Sequence, residues 1–148
     1  MNPWRFIASG FGAGMAPKAP GTFGSLVGLI IGCLLLSLGH IALVVGLLVA
    51  IFVGIYAIGR LPEATEDPGW IVIDEIAGQM LPLLALSHVT VWGAIIAFLL
   101  FRLFDILKPG PVGHVDKYKN AYGVMGDDLV AGLLALMVMI ILYRILHL

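Results

Sequence analysis

The chain has 148 residues, 61% of them hydrophobic and 11% charged, with a formal net charge of −1 and a mean hydropathy of +1.08. A soluble domain of this size could not cover so much apolar surface, and the same figures exclude disorder. The charge balance offers no field for nucleic acid, and a single cysteine, Cys33, excludes a disulfide framework or a multi-cysteine zinc site. The sequence therefore reads as one membrane-embedded domain over 1–148.

In chain order, the apolar run Phe6–Ala16 is broken by Gly10, Gly12 and Gly14 and followed by Pro17 and Pro20. An irregular or interfacial segment fits this better than a signal peptide. Residues 19–59 carry no charge. A spanning helix needs ~20 residues at ~1.5 Å rise each, so this stretch predicts two spans with a turn at Gly39-His40. Gly24, Gly28 and Gly32 fall four apart on the first span, which predicts close helix packing within the bundle, with an oligomer contact as the alternative. Cys33 reads as a small buried hydrophobe.

The next uncharged stretch, 76–101, follows an acidic group that includes Asp74 and Glu75. One long helix would place those acids roughly 40 Å from Arg102 and Asp105. A hairpin, with 71–86 going out and 89–107 returning, brings both charged groups to one face; Pro82 supplies the break and Ser87-His88-Val89-Thr90 the turn. The last helix is expected to start at Asp127-Asp128, placed as caps, and to run to about His147. The expectation is an all-α bundle of about five membrane-embedded helices. Arg5, Lys18, Arg60, Lys108, Lys117 and Lys119 then lie on one side and Arg144 near the other, which makes the charged side cytoplasmic. His40, His88 and His147 sit at far-side helix ends as interfacial polar tips, and His114 lies in the charged loop.

Carboxylates near bilayer depth are costly and point to function. Asp74 and Glu75 have apolar neighbours on both sides, and Gly78 and Gln79 lie one turn on. Asp105 lies near a helix C-terminus, where the dipole disfavours an anion, so either ion pairs with Arg102 and Lys108 or a metal must compensate it. Asp74, Glu75, Asp105, Asp127 and Asp128 converge on one face, and hard oxygen ligands in that number suit Mg²⁺. With Arg102, Lys108 and Lys117 nearby, the site offers what a phosphate ligand requires.

Four segments occur in order along nearly the whole chain: Pro20-Gly21-Thr22-Phe23-Gly24-Ser25; 67–75, from Asp67 to Glu75; 101–109, from Phe101 to Pro109; and 123–132, from Gly123 to Gly132. Together they resemble the phosphatidylglycerophosphatase A family. The resemblance implies an all-helical, Mg²⁺-dependent lipid phosphatase of the bacterial inner membrane. Its substrate would be phosphatidylglycerophosphate, met in the cytoplasmic leaflet, and its product phosphatidylglycerol. The family acids carry over to Asp67, Asp74, Glu75, Asp105, Asp116, Asp127 and Asp128, and the family basic residues to Arg102 and Lys108. Within that set the roles we assign are metal ligation by Asp74, Glu75, Asp105 and Asp128 and catalysis by Asp127, Lys108, Arg102 and Asp116; outside it, Lys18, Thr22, Ser25 and Lys117 are expected to contact substrate. The expected chemistry is metal-assisted hydrolysis, with an aspartyl-phosphate route as its competitor. No Cys-x5-Arg motif is present, so a cysteinyl-phosphate route is excluded. The rival class is a small ion-coupled transporter or channel whose acids line a path, but here the acids gather at one face.

Overall fold

The computed structural model of the chain describes residues 2–66, 68–108 and 120–146. Among these the structure is helical without strands: α1 (Pro3–Ala8), α2 (Pro20–Leu38), α3 (His40–Gly59), α4 (Ile73–Met80), α5 (Val91–Leu107) and α6 (Ala121–Leu146), with short 3₁₀ turns between some of them. Three helices, α2, α3 and α6, are long and apolar enough to cross a membrane. Their outward faces carry exposed apolar residues such as Ile30, Leu34, Phe52, Val49, Met137 and Ile141. That is the surface a hydrocarbon solvent requires of a bundle.

The 41-residue uncharged stretch forms two helices as expected. Gly39 joins them at φ 131° and ψ 163°, a backbone conformation that side-chain-bearing residues rarely adopt. The hairpin over 71–107 is also present, but its outward arm is not one helix. The arm is the eight-residue α4, a break at Leu81-Pro82, a 3₁₀ turn over Pro82–Ala85 and an extended Leu86. Pro82 has no N–H to continue the ladder, and its ring crowds the preceding turn. The arm still reaches the far end, where His40 Nε2 donates to the Leu86 carbonyl at 2.6 Å. Thr90 then caps α5 by accepting from the Gly93 amide at 3.0 Å, and the chain returns.

Every residue of α4 except Glu75 is buried, so this short helix is the axis of the bundle. The glycine ladder on α2 explains how it fits. A Cβ on Gly28 would lie 2.6 Å from the Ile76 carbonyl oxygen, and one on Gly24 would lie 2.6 Å from Val72 Cβ. Gly32 faces Leu83 and Met80. The ladder read above as a packing or oligomer contact is thus covered by α4 and its flanking residues Val72 and Leu83 of the same chain. The N-terminal segment docks on the same axis: the Val72 amide donates to the Ala8 carbonyl at 2.9 Å. It is irregular, as expected, with Gly10, Phe11 and Gly12 all at positive φ.

One expectation is corrected in α6. The helix begins at Ala121, and Asn120 Oδ1 accepts from the Gly123 amide at 2.8 Å. Asp127 and Asp128 therefore lie in the second turn and beyond, and do not cap the helix. Asn120 precedes the apolar run by several residues, and Gly123 and Gly126 hide the helix start from a periodicity reading.

Candidate active site

Two glycines bring the acids together. Gly78 lies four residues after Asp74 on α4, and Gly132 lies four residues after Asp128 on α6. A Cβ on Gly78 would sit 2.6 Å from the Asp128 carbonyl oxygen, and one on Gly132 would collide with the Gly78 carbonyl. The two backbones therefore touch one turn below the two carboxylates. Because side chains four apart share a helix face, that contact sets Asp74 and Asp128 side by side. One oxygen from each of Asp74, Glu75 and Asp128 lies within 4.8 Å of the others. Both aspartates are buried, and Glu75 is partly so.

Asp74, Glu75, Asp105, Lys108, Asp127 and Asp128 line a single cavity of about 140 Å³, together with Pro68, Gly69 and Ile71. Three elements supply them: the start of α4, the end of α5 and the second turn of α6. Lys108 ends α5 in the left-handed region at φ 46°, a conformation that costs an L-residue roughly 1–2 kcal/mol. Its Nζ lies 3.1 Å from Asp127 Oδ2 and 4.0 Å from Asp105 Oδ1. Arg102 is ion-paired with Asp105 through Nη1 and Oδ2. Asp105 thus has the cationic partners expected of an anion at a helix C-terminus. The close carboxylate cluster comes from Asp74, Glu75 and Asp128.

Oxygens at that spacing repel each other when ionised, and a divalent cation among them is the chemistry their donor set fits. Glu75 Oε2 adds to the fit, being buried without a hydrogen-bond partner. The start of α2 closes the other side. A Cβ on Gly21 would lie 3.1 Å from Glu75 Oε1 and 3.4 Å from Arg102 Nη1, so glycine there leaves these groups room.

Of the assigned substrate-contact residues, Lys18, Thr22 and Ser25 are not part of the cavity lining. Lys18 is exposed and Thr22 half-buried in the first turn of α2. Ser25 is fully buried and donates its hydroxyl to the Gly21 carbonyl at 2.9 Å. Asp67, His114, Asp116, Lys117, Lys119 and His147 lie outside the described residues. Gly132 was not singled out from sequence. The signal for it was available, since its offset from Asp128 repeats that of Gly78 from Asp74.

The family model for phosphatidylglycerophosphatase A matches residues 6–143. Phosphatidylglycerophosphatase A of Haemophilus influenzae is 39% identical over 142 residues, covering 93% of this chain and 87% of that protein. The Escherichia coli protein of the same name is 34% identical over 139 residues, covering 90% and 80%. A Bacteroides thetaiotaomicron relative, provisionally named a phosphatidylinositol-3-phosphatase, is 40% identical over 134 residues, covering 85% and 84%. No solved structure matches. The chain belongs to the phosphatidylglycerophosphatase A family.

Proposed function

We propose that this member of the phosphatidylglycerophosphatase A family hydrolyses the phosphomonoester of phosphatidylglycerophosphate, giving phosphatidylglycerol and inorganic phosphate. The observation that carries the reading is the convergence of three close carboxylates with Lys108 on one polar cavity, beside which Arg102 pairs with the cavity-lining Asp105. A transporter has no use for an anion-binding cation pair set against a metal-binding trio at one end of the bundle.

Asp74, Glu75 and Asp128 would hold Mg²⁺. Bound there, the ion supplies polarisation of the phosphoryl oxygens and a water of lowered pKa. Lys108 and Arg102 offset the charge that develops on the phosphoryl group, and Asp105 holds both cations in place. Asp127, oriented by Lys108, accepts the proton of the attacking water. Asp116 and Lys117 complete the catalytic and substrate-binding set, and Lys18, at the same end of the molecule, meets the lipid head group.

The chain crosses the membrane five times on this reading, α5 and the broken 71–86 arm adding to α2, α3 and α6. Arg5, Lys18, Arg60, Arg102 and Lys108 lie at the site end and Arg144 at the other, and this partition of basic residues supports a site facing the cytoplasm from a bacterial inner membrane. Single-cysteine labelling in a Cys33→Ser background tests this: position 88 should react from outside and position 63 from inside. Equal outside access would reject the topology.

The activity is tested with purified protein, measuring phosphate release from phosphatidylglycerophosphate and from phosphatidylinositol 3-phosphate, with and without Mg²⁺. Release from the first lipid, dependent on Mg²⁺, is expected. Preference for the second lipid would move the substrate, and release that ignores chelation would remove the metal.

A further inference from the structure

We propose that Gln79 is a positioning residue for the metal-binding carboxylates, its side-chain amide donating to Glu75 and holding that carboxylate ready for a divalent cation. The proposal rests on the metal site of the phosphatase reading above. It starts from a polar group in apolar surroundings. Gln79 is the only polar side chain between Glu75 and Ser87. It lies on the axial helix α4, is 0% exposed, and has no hydrogen-bond partner at either Oε1 or Nε2. Burying an amide is costly unless it is bonded, and inside a membrane no bulk water makes good the loss.

Helix geometry says what the amide faces. Gln79 follows Glu75 by four residues, so the two share a face of α4 with Cβ atoms about 5–6 Å apart. Helical side chains lean toward the N-terminus, which carries the Gln79 amide back over the turn that bears Glu75. The two oxygens of Glu75 differ. Oε1 is turned toward the start of α2, where a Cβ on Gly21 would lie 3.1 Å from it. Oε2 is buried and has no partner. An unpartnered donor and an unpartnered acceptor thus lie one turn apart on one helix face.

The chemistry of the two groups sets the orientation. An ionised carboxylate only accepts, so the amide meets it through Nε2, with Oε1 turned away. The terminal torsions of Glu and Gln are broad, which lets both groups turn while their stems stay packed. Ser25, buried on α2, already donates its hydroxyl to the Gly21 carbonyl at 2.9 Å, so its hydrogen is committed elsewhere. A carboxylate oxygen accepts an N–H and still has a lone pair for a cation. Such a bond fixes the orientation of a ligand and strengthens metal binding, although the amide touches neither metal nor substrate.

The test reads metal binding apart from turnover. Mn²⁺ is titrated into purified wild type and Gln79→Met in detergent, and the free ion is followed by its EPR signal. Methionine keeps the length and fills the same core space, but it cannot donate. Mn²⁺ affinity should fall at least ~tenfold. The thermal midpoint without divalent cation should hold or rise, because an unpartnered buried amide has been removed. Unchanged affinity overturns the proposal and leaves the phosphatase reading intact. A midpoint that falls along with the affinity makes the amide a packing element and also overturns it. Wild type that binds no Mn²⁺ overturns the metal site of the reading itself.

A measurement on unaltered protein covers the case in which the variant does not fold. Gln79 is the sole glutamine. A ¹⁵N label in the glutamine side chain therefore gives one NH₂ pair in an NMR spectrum. One proton of that pair should move downfield on addition of Mg²⁺, as a charge-assisted bond to a fixed, ionised carboxylate requires. A pair that ignores Mg²⁺, in protein that binds Mn²⁺, rejects the role assigned to Gln79.

Discussion

The cavity has two halves built from the same residue type. In one, Asp105 and Asp127 are tied to Arg102 and Lys108, the lysine lying within 4.0 Å of both acids. In the other, Asp74, Glu75 and Asp128 bring their oxygens within 4.8 Å of one another. The first half carries its own counter-charge and needs no ion to persist. The second is stable as three carboxylates only with protons or a cation among them. On the reading proposed above, the first half would meet the phosphate and the second would hold the metal, and a substitution in each tests that division.

The largest effect is expected from Asp128→Asn. The substitution keeps size and hydrogen-bonding capacity but removes the charge a hard cation requires. Turnover should fall by at least ~100-fold, about 2.7 kcal/mol of lost transition-state stabilisation. Part of the loss should return at high Mg²⁺, because a weakened site is still filled by mass action. Near wild-type turnover at limiting Mg²⁺ in folded protein would assign this carboxylate a structural role.

Asp105→Asn should differ in kind as well as size. It removes the carboxylate paired with Arg102 and one of the carboxylates near Lys108, so the expected loss is roughly tenfold, ~1.4 kcal/mol. Added Mg²⁺ should recover none of it, and the Mg²⁺ concentration for half activation should stay put. If Asp105 is instead a metal ligand, as its position among the family acids first suggested, that midpoint rises as it does for Asp128→Asn. One titration on each variant decides between the two assignments.

Much of this division was out of reach from sequence, for identifiable reasons. The hairpin was legible because Pro82 and Ser87-His88-Val89-Thr90 offer a break and a turn that bring both charged groups to one face. The convergence of the acids was legible for the same reason. Which acids share an ion was not, since Asp74 and Asp128 meet through a Gly78–Gly132 backbone contact between helices distant in the chain. The i,i+3 spacing of Arg102, Asp105 and Lys108 allowed an ion-paired network and a metal ligand equally. The start of α6 was misplaced because an aspartate pair before an apolar run imitates a cap, while the true cap, Asn120, lies behind two glycines. The shortness of α4 follows from Pro82, yet its position on the bundle axis depends on the α2 glycines that face it.

The contact that joins the halves can be loosened without touching an acid. In Gly132→Ala the new methyl meets the Gly78 carbonyl, a backbone group that can move only by parting α4 from α6. Overpacking of this kind costs about 1–3 kcal/mol, and the thermal midpoint in detergent should drop accordingly. Turnover should fall a few-fold as Asp74 and Asp128 separate. Gly59→Ala is the matched comparison, since its methyl would meet only Ala121 Cβ at 3.9 Å and should change neither quantity. Equal behaviour of the two variants would mean that the close approach does not set the carboxylate spacing.

The smallest effect is expected at Glu63, an acid at the same end of the molecule that belongs to neither half. It pairs with Arg5 at 3.7 Å, both side chains well exposed. Pairs of that kind contribute ~0–1 kcal/mol, because water competes for both partners. Arg5 also lies over the Trp70 ring, 4.8 Å from its centre, so it stays anchored when the carboxylate is neutralised. Glu63→Gln should therefore keep turnover within about twofold of wild type and its Mg²⁺ midpoint unchanged. A loss comparable to that of Asp105→Asn would show that any carboxylate at this end supports the reaction through its charge alone. The distinction between the two halves of the cavity would then have no functional content, whatever the distances within it.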